Sequence, residues 1–374
     1  MNTFRRQFKL WIGCVAVLPV LAACASESGD VTPGDGQGET LGTTTDNLDT
    51  DLGRVAVSLS TDQSALAAQR GLAVTVTMTN TANHAVRLLK WKTPVDGINE
   101  SLFVVARDGA EVAYTGRVYK RIAPRASDYV VLRAGESLTR TVDLAETYDL
   151  SVTGHYTVHF RADTAYAGNF RQELVSNDVG LWVEGRPSAS TDAQESGPAE
   201  LAGTITYTGG CTASEKTALQ TGFNGATTYA NGAVSYLNGT PGSTPRYTTW
   251  FGAYTSARWG TAKSHFAKIK DAFDTKNVTL DCSCNDSGVY AYVYPGSPYK
   301  IYLCGAFWSA PQTGTDSKAG TLVHEMSHFT VVAGTDDHAY GQSACKSLAK
   351  SNPTNALDNA DSHEYFAENN PPQN

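Results

Sequence analysis

The sequence carries little charge of either sign and shows no evident internal repeat. Its 374 residues include 29 Lys and Arg against 37 Asp and Glu, a formal net charge of −8 with 18% charged residues. This acidic composition argues against a nucleic-acid-binding protein, which needs a basic surface. Because no repeat points to a solenoid, the length favours two globular domains.

Large apolar residues are almost absent from residues 25–51, which consist mainly of Ser, Thr, Gly, Asp and Glu. A segment of this composition cannot bury a core, so we expect a disordered, solvated tether.

Residues 1–24 have a basic start and an apolar run at 10–21 that is too short to span a membrane, which is typical of an export signal. The ending Leu-Ala-Ala-Cys resembles a bacterial lipobox and implies lipidation at Cys24. An ordinary secretory signal is the alternative. Either interpretation predicts an exported bacterial protein, which is secreted or held as a periplasmic or outer-surface lipoprotein.

Cysteine is missing from residues 52–185, where short alternating apolar runs are bounded by Gly, Asn, Asp or Pro. Runs of this length and spacing are typical of strands in an antiparallel sandwich, and residues 154–158 look like a late strand of an immunoglobulin-like fold. We therefore predict an all-β, immunoglobulin-like sandwich domain. A polar, easily cut linker at residues 186–203 separates it from a second domain at 204–374.

The second domain contains the pattern His-Glu-x-x-His at residues 324–328, with apolar residues around it as a half-buried helix requires. On a helix, His324 and His328 lie one turn apart on the same face, so both imidazoles can bind one metal ion, with Glu325 beside them as a base. The pattern alone also fits two surface histidines on an ordinary helix. A third ligand is needed before a metal site can be inferred.

The run Gly-Thr-Asp-Asp-His-Ala-Tyr-Gly at residues 334–341 supplies that context and should end the helix at Gly334. It resembles the G-T-x-D-x-x-Y-G signature of the aspzincins, the deuterolysin-like zinc endopeptidases. The resemblance implies one Zn²⁺ per chain bound by His324, His328 and Asp337, and it places Tyr340 close to the substrate carbonyl. Three protein ligands would leave the fourth position for water.

Two other sources could supply the third ligand. Asp336 could reach the metal if the turn were one residue tighter. A gluzincin would use a distant glutamate, and Glu364 or Glu368 lies on a plausible later helix. That reading leaves the run at 334–341 unexplained.

Residues 204–374 are expected to form an α+β, zincin-like catalytic domain that is helical with a small sheet. The predicted order is helices at 211–236 and 256–273, strands at 278–282, 289–294 and 300–304, and then the metal-binding helix. Cys282 and Cys284 are too close for a mutual bridge. The resemblance implies the bridges Cys211–Cys282 and Cys284–Cys304, and leaves Cys345 outside both. A second metal site at Cys282 and Cys284 is the alternative.

Asp361 and Glu364 lie on one face of a helix predicted near the C-terminus. An acidic pair is usually a solvated surface feature, but the Tyr-Phe-Ala that follows favours partial burial, and buried carboxylates need a cationic partner. The run at residues 361–369 resembles the peptidyl-Lys branch of the aspzincins, in which two acidic residues hold the lysine that follows the cut bond. The resemblance assigns this role to Asp361 and Glu364, with Tyr290 as an aromatic wall.

The expected function is a zinc endopeptidase that cuts proteins or peptides before lysine. Glu325 would deprotonate the attacking water and return the proton to the leaving amine, while Tyr340 stabilises the oxyanion. The alternatives are an aspzincin of broader specificity and a surface-binding lipoprotein with a vestigial protease domain.

The sandwich domain is expected to be a propeptide, with a passive spacer or a carbohydrate- or surface-binding module as the alternative. Because the domain lacks cysteine, a thiolate cannot block the metal, and any inhibition must come from a segment that covers the cleft. No lysine occurs between Lys120 and Lys216, so an enzyme that cuts only before lysine could not release this domain through the linker.

Overall fold

The computed structural model describes residues 55–62, 65–66, 71–165, 171–184 and 203–373. The predicted export signal with Cys24, the tether and all but the last residue of the linker lie outside these ranges. No helix within them is both long and apolar enough to cross a membrane.

Residues 55–183 form short strands with alternating burial. In the third strand Val74, Val76 and Met78 are buried while the residues between them are half-buried, because successive side chains of a strand point to opposite faces. The strands are β1 (Val55–Ser60), β2 (Ala65–Leu66), β3 (Ala73–Asn80), β4 (Val86–Leu89), β5 (Phe103–Arg107), β6 (Ala110–Glu111), β7 (Val118–Arg121), β8 (Tyr129–Leu132), β9 (Ser137–Asp143), β10 (Gly154–Ala165), β11 (Arg171–Val175) and β12 (Val179–Val183).

All of these strands except β7 build sheets with one another. β1, β3 and β9 form one sheet, β2-β12-β10-β5-β6 with β11 on β10 forms a second, and β4 pairs with β8. The pairs are antiparallel apart from β2 with β12. Their apolar core draws only on residues 55–183. The region is β-rich as predicted, and its immunoglobulin-like character remains a prediction.

The C-terminal region combines helices with a small sheet, in the predicted order. It contains β13 (Ile205–Thr208), α1 (Ala213–Leu237), α2 (Pro245–Phe251), α3 (Ser256–Thr275), β14 (Val278–Asp281), β15 (Val289–Val293), β16 (Lys300–Leu303), α4 (Gly305–Ser309), α5 (Lys318–His328), α6 (Gln342–Ser351), α7 (Pro353–Leu357) and α8 (Ala360–Glu368). Its core draws only on residues 205–367. The structure contains both implied bridges, Cys211–Cys282 and Cys284–Cys304, while Cys345 lies buried on α6.

The sheet of the C-terminal region has the order β13-β14-β16-β15-β7. β13, β14 and β16 are parallel, whereas β15 is antiparallel to β16 and β7 is antiparallel to β15. β7 lies within the span predicted as the sandwich domain, so one strand of the N-terminal region completes the edge of the C-terminal sheet.

α5 is shorter than the sequence pattern predicts. It begins at Lys318, after the N-cap residue Ser317, whose hydroxyl accepts a hydrogen bond from the Gly320 amide. It ends at His328 rather than at Gly334. The chain turns back earlier because the Thr335 amide donates to the Ser327 carbonyl at 3.2 Å. This turn brings residue 337 back towards the two histidines.

Candidate active site

Two histidines of α5 and one aspartate after it converge on a common point. The Nε2 atoms of His324 and His328 are 3.1 Å apart. Oδ1 of Asp337 lies 3.4 Å from Nε2 of His324, and Oδ2 lies 3.4 Å from Nε2 of His328. A tetrahedral Zn²⁺ bound at about 2.0–2.1 Å would separate its ligands by roughly 3.3 Å. All three side chains are buried, and neither Asp337 oxygen has a hydrogen-bond partner in the described part of the chain. The donor set therefore fits one zinc ion.

Polar contacts on the far side of each ring orient the two imidazoles. His328 Nδ1 is 2.7 Å from the Thr335 carbonyl oxygen, and His324 Nδ1 is 2.8 Å from Oδ1 of Asp361. A proton on Nδ1 leaves the Nε2 lone pair of each ring free to bind a metal.

The rival carboxylates have other partners. Asp336 accepts a hydrogen bond from the Asp337 amide at 2.8 Å. Glu368 accepts two hydrogen bonds at the start of α5, from the amide and the hydroxyl of Ser317, at 3.0 and 2.8 Å. Neither belongs to the metal-binding groups found among residues 55–373 where the structure describes them. Glu364 belongs to a second such group, with His324 and Asp361.

Glu325 is fully buried beside the histidines. Both of its carboxylate oxygens lack a hydrogen-bond partner among the described residues. Burial raises the pKa of Glu325 to about 7, although the two histidines act in the opposite direction. A carboxyl group in this range can accept and return a proton near neutral pH.

Lys120, on β7, fills the pocket between the two predicted lysine-binding carboxylates. Its ammonium donates to Asp361 Oδ1 at 3.1 Å and to Glu364 Oε2 at 2.5 Å, and the side chain is almost fully buried. The rings of Tyr290 and Tyr365 lie 5.2 and 6.0 Å from the ammonium nitrogen. Burial lowers the pKa of Lys120, but the carboxylates outweigh this effect and hold it well above its usual value.

Asp361 serves the metal centre and the lysine pocket together. Its Oδ1 lies near both His324 and Lys120, and its Oδ2 accepts from the Gly341 amide at 2.7 Å. Burial opposes ionisation, yet Lys120 and His324 hold the pKa of Asp361 below its usual range. Burial raises the pKa of the neighbouring Glu364, although Lys120 acts against it.

β7 lies across the cleft as an extended peptide. Tyr119 is opposite Tyr292 of β15, and Lys120 is opposite Ala291. The Tyr340 hydroxyl donates to the carbonyl oxygen of Tyr119 at 2.8 Å. The carbonyl that precedes Lys120 therefore lies at the tyrosine predicted to contact a substrate carbonyl, while the lysine side chain lies in the predicted lysine pocket.

The structure brings the predicted site residues of the C-terminal region together, with Tyr290 and Tyr340 half-buried and the others buried. They are His324, Glu325, His328, Asp337, Tyr340, Asp361, Glu364 and Tyr290. Sequence reasoning assigned no role in the site to Lys120 or Tyr119. The only signal was that Lys120 is the last lysine before a long gap, and this gap does not indicate a position in a cleft.

Comparisons with known proteins agree with this geometry. Residues 236–368 match the model of the aspzincin M35 family, described as lysine-specific metallo-endopeptidase. An extracellular protease of Aeromonas hydrophila is 45% identical over 311 residues, covering 80% of this chain and 89% of the relative. The peptidyl-Lys metalloendopeptidase of Armillaria mellea is 40% identical over 314 residues, covering 81% and 88%.

Two further matches cover less than half of this chain. The peptidyl-Lys metalloendopeptidase of Pleurotus ostreatus is 56% identical over 162 residues, which are 43% of this chain and 96% of the relative. A solved zinc peptidase from Grifola frondosa is 52% identical and covers 44% of this chain and all of its own, with a TM-score of 0.43.

Proposed function

Because the chain belongs to the aspzincin M35 family and is a zinc metalloendopeptidase, we propose that it hydrolyses peptide bonds on the N-terminal side of lysine. One Zn²⁺ per chain would be held by His324, His328 and Asp337. Glu325 would be the base, and Asp361 and Glu364 would bind the substrate lysine.

The single observation that carries this proposal is the position of Lys120. A lysine side chain of the protein itself lies between Asp361 and Glu364, and the carbonyl of the preceding residue accepts a hydrogen bond from Tyr340. A peptide bound in this way presents the bond before its lysine to Glu325 and the metal ligands.

The pocket suits an ammonium group better than a guanidinium group. Its wall offers Lys120 one oxygen from Asp361 and one from Glu364, with a third carboxylate, that of Asp316, 3.9 Å away. Two acceptors at hydrogen-bond distance and a third carboxylate just beyond it suit the three donors of a compact ammonium, whereas a planar guanidinium brings five donors in a fixed fork. Unmatched donors in a buried pocket would weaken arginine binding.

The side chains divide the reaction between them. Zinc would lower the pKa of a bound water and polarise the peptide carbonyl. Glu325, buried with no competing hydrogen bond among the described residues, takes a proton from the attacking water and passes it to the leaving amine. The Tyr340 hydroxyl donates to the carbonyl oxygen as negative charge develops there. Asp361 holds His324 in the orientation that binds the metal.

The N-terminal region, predicted as a sandwich at 52–185, is proposed to inhibit the enzyme as a propeptide. It occupies the cleft through Tyr119 and Lys120. It also contacts the metal-binding turn, because Lys92 donates to the Asp337 carbonyl at 3.4 Å and pairs with Glu100. These contacts favour an inhibitory segment over a passive spacer.

A cut at the Tyr119–Lys120 bond would not free this region. Strands before the bond pair with strands after it, β3 with β9 and β5 with β10, so the two pieces would stay together. The gap between Lys120 and Lys216 leaves the linker at 186–203 without a lysine. Maturation then needs another protease, or the region stays attached. N-terminal sequencing of the secreted protein distinguishes the two.

Export is proposed as well, with lipidation of Cys24 as the anchor before processing. The name of the Aeromonas relative, an extracellular protease, supports export. Metabolic labelling with a fatty acid, compared between the natural chain and Cys24→Ala, tests the lipid.

A cleavage map tests the proposed specificity. The zinc-loaded full chain, in its natural form and as Lys120→Ala, is incubated with a denatured protein, and the new N-termini are sequenced. We expect lysine at these N-termini, and no cleavage after addition of a chelator or in a Glu325→Gln variant. Cuts spread evenly over other residues would contradict the lysine pocket.

A further inference from the structure

The outer face of the C-terminal sheet carries a row of tyrosines beside the cleft. Tyr292 of β15 and Tyr302 of β16 stack in parallel with ring centroids 4.5 Å apart. Tyr294 lies edge-on to both, at 6.0 and 5.9 Å. Residues between them on the strands, such as Ala291 and Val293, belong to the main core on the other face. We call Tyr292, Tyr294 and Tyr302 the tyrosine platform.

Arg117, just before β7, lies on this platform. Its guanidinium carbon is 4.8 Å from the centroid of Tyr292 and 5.8 Å from that of Tyr294. Its Nε donates to the Tyr294 hydroxyl at 2.8 Å. Two π faces and a phenol oxygen thus hold one cation, which is the arrangement of a cation–π site.

Among the described residues, no carboxylate shares in this contact. Arg117 forms no ion pair with any residue that the structure describes, and the groups around it are phenols: hydrogen bonds to Tyr294 and Tyr119 raise its pKa. A surface arginine that only needed charge compensation would be expected beside an acidic residue. The guanidinium group is instead held by the tyrosine rings and by the Tyr294 hydroxyl, which together fix its orientation.

The register of β7 shows which substrate position Arg117 would correspond to. Lys120 lies in the lysine pocket, so Tyr119 is the first residue before the bond to be cut and Arg117 is the third. Tyr119 itself lies with its ring 5.4 Å from that of Tyr292. If an external peptide pairs with β15 in the same register, the side chain of its third residue before the cut bond would lie on the tyrosine platform.

Resting on the function proposed above, we propose that the tyrosine platform is a second specificity subsite, which binds a cationic side chain at the third residue before the cut bond. Arginine fits best because its Nε can donate to the Tyr294 hydroxyl while the guanidinium covers the rings. Cation–π contacts of this kind predict a preference on the order of 5- to 30-fold in kcat/KM.

The test uses the full chain with Arg117→Ala and Lys120→Ala, which removes the two side chains of this segment that occupy the tyrosine platform and the lysine pocket. Two peptides are compared, one with the core Arg-Val-Tyr-Lys and one in which citrulline, an uncharged analogue of similar shape, replaces the arginine. We expect both to be cut before lysine and the arginine peptide to have the higher kcat/KM. Equal values for the two would overturn the subsite and leave the lysine-directed activity intact. Cleavage of neither would remove the proposed function and this inference with it.

Two substitutions added to that chain locate the preference. Tyr294→Leu removes a ring and an acceptor but leaves the ring of Tyr292, so it should lower the ratio of the two kcat/KM values without abolishing the preference. Tyr294→Phe keeps the ring and should lower the ratio by less. Because the ratio compares two peptides on the same protein, a general loss of folded enzyme does not change it. An unchanged ratio in Tyr294→Leu would contradict the assignment.

Discussion

The metal centre and the lysine pocket share Asp361, yet their buried charges are satisfied differently. At the metal centre, the oxygens of Glu325 and Asp337 have no hydrogen-bond donor in the described part of the chain. In the pocket, Asp361 and Glu364 bind the protein's own Lys120. Because buried charges need partners, the first region fits a cation from outside the polypeptide. The second binds a lysine side chain of the protein itself, and the proposed function is that a substrate lysine replaces Lys120 there.

The strongest expected difference between the two regions comes from removing a metal ligand. In the full chain with Lys120→Ala, Asp337→Ala should lose both zinc and at least about 10³-fold in turnover, because two imidazoles alone hold zinc poorly. Zinc content after gel filtration and hydrolysis of a lysyl peptide measure this. Asp336→Ala is the matched control and should keep its zinc. Retention of zinc by Asp337→Ala would mean that the third ligand lies elsewhere.

Glu325→Gln should separate metal binding from chemistry. The amide keeps the shape of the side chain but cannot accept the proton, so kcat should fall by about 10²- to 10⁴-fold while the zinc content is unchanged. Turnover close to that of the parent chain would refute the role of Glu325 as the base.

The shared carboxylate offers the sharpest comparison of the two regions. Glu364→Gln should reduce the preference for lysine over norleucine by about 30-fold and leave zinc affinity unchanged. Asp361→Asn should reduce the same preference and also weaken zinc binding by about tenfold, because it removes the charged contact with His324 Nδ1. Peptide kinetics and competition with a zinc chelator measure the two effects. Equal zinc affinities in both variants would show that Asp361 does not orient the metal ligand.

The smallest expected effect concerns the contact between the two helices that carry the regions. A Cβ at Gly320 of α5 would lie 2.1 Å from Glu368 Oε1 and 2.9 Å from Glu364 Oε1. Gly320→Ala should therefore displace α8, reduce lysine preference before it reduces zinc content, and destabilise the protein by about 1–3 kcal/mol. Gly232→Ala, on α1 with open space around the added Cβ, is the control and should be neutral or stabilising. Denaturant unfolding distinguishes them.

The parts of the site that depend on short stretches of chain could be predicted from the sequence. His324 and His328 lie one helical turn apart, and Asp337 follows them by a single turn of the chain. The apolar residues that follow the acidic pair on α8 in the sequence indicated that the pair is partly buried. The end of α5 was predicted too late in the sequence, because the apolar residues after His328 continue the helical pattern. In the structure the hydrogen bond from the Thr335 amide to the Ser327 carbonyl turns the chain back before Gly334.

The position of β7 could not be predicted in the same way. Alternation identifies a strand and its two faces, but it does not identify the partner strand, and β15 lies roughly 170 residues further along the chain. No strand was predicted at Lys120, and the sequence indicated no role for this residue in the site. Its role follows only from the two carboxylates and the tyrosine hydroxyl that surround it in the fold.

The most direct test of the account is the turnover of a lysyl peptide by the zinc-loaded full chain before and after Lys120→Ala. Removal of the side chain that fills the pocket should raise turnover by about tenfold or more, because an internal occupant competes at high effective concentration. Lys263→Ala, which changes an exposed lysine of α3, should have no effect. Equal turnover of the natural chain and Lys120→Ala would contradict the claim that the enzyme holds its own lysine in the substrate site.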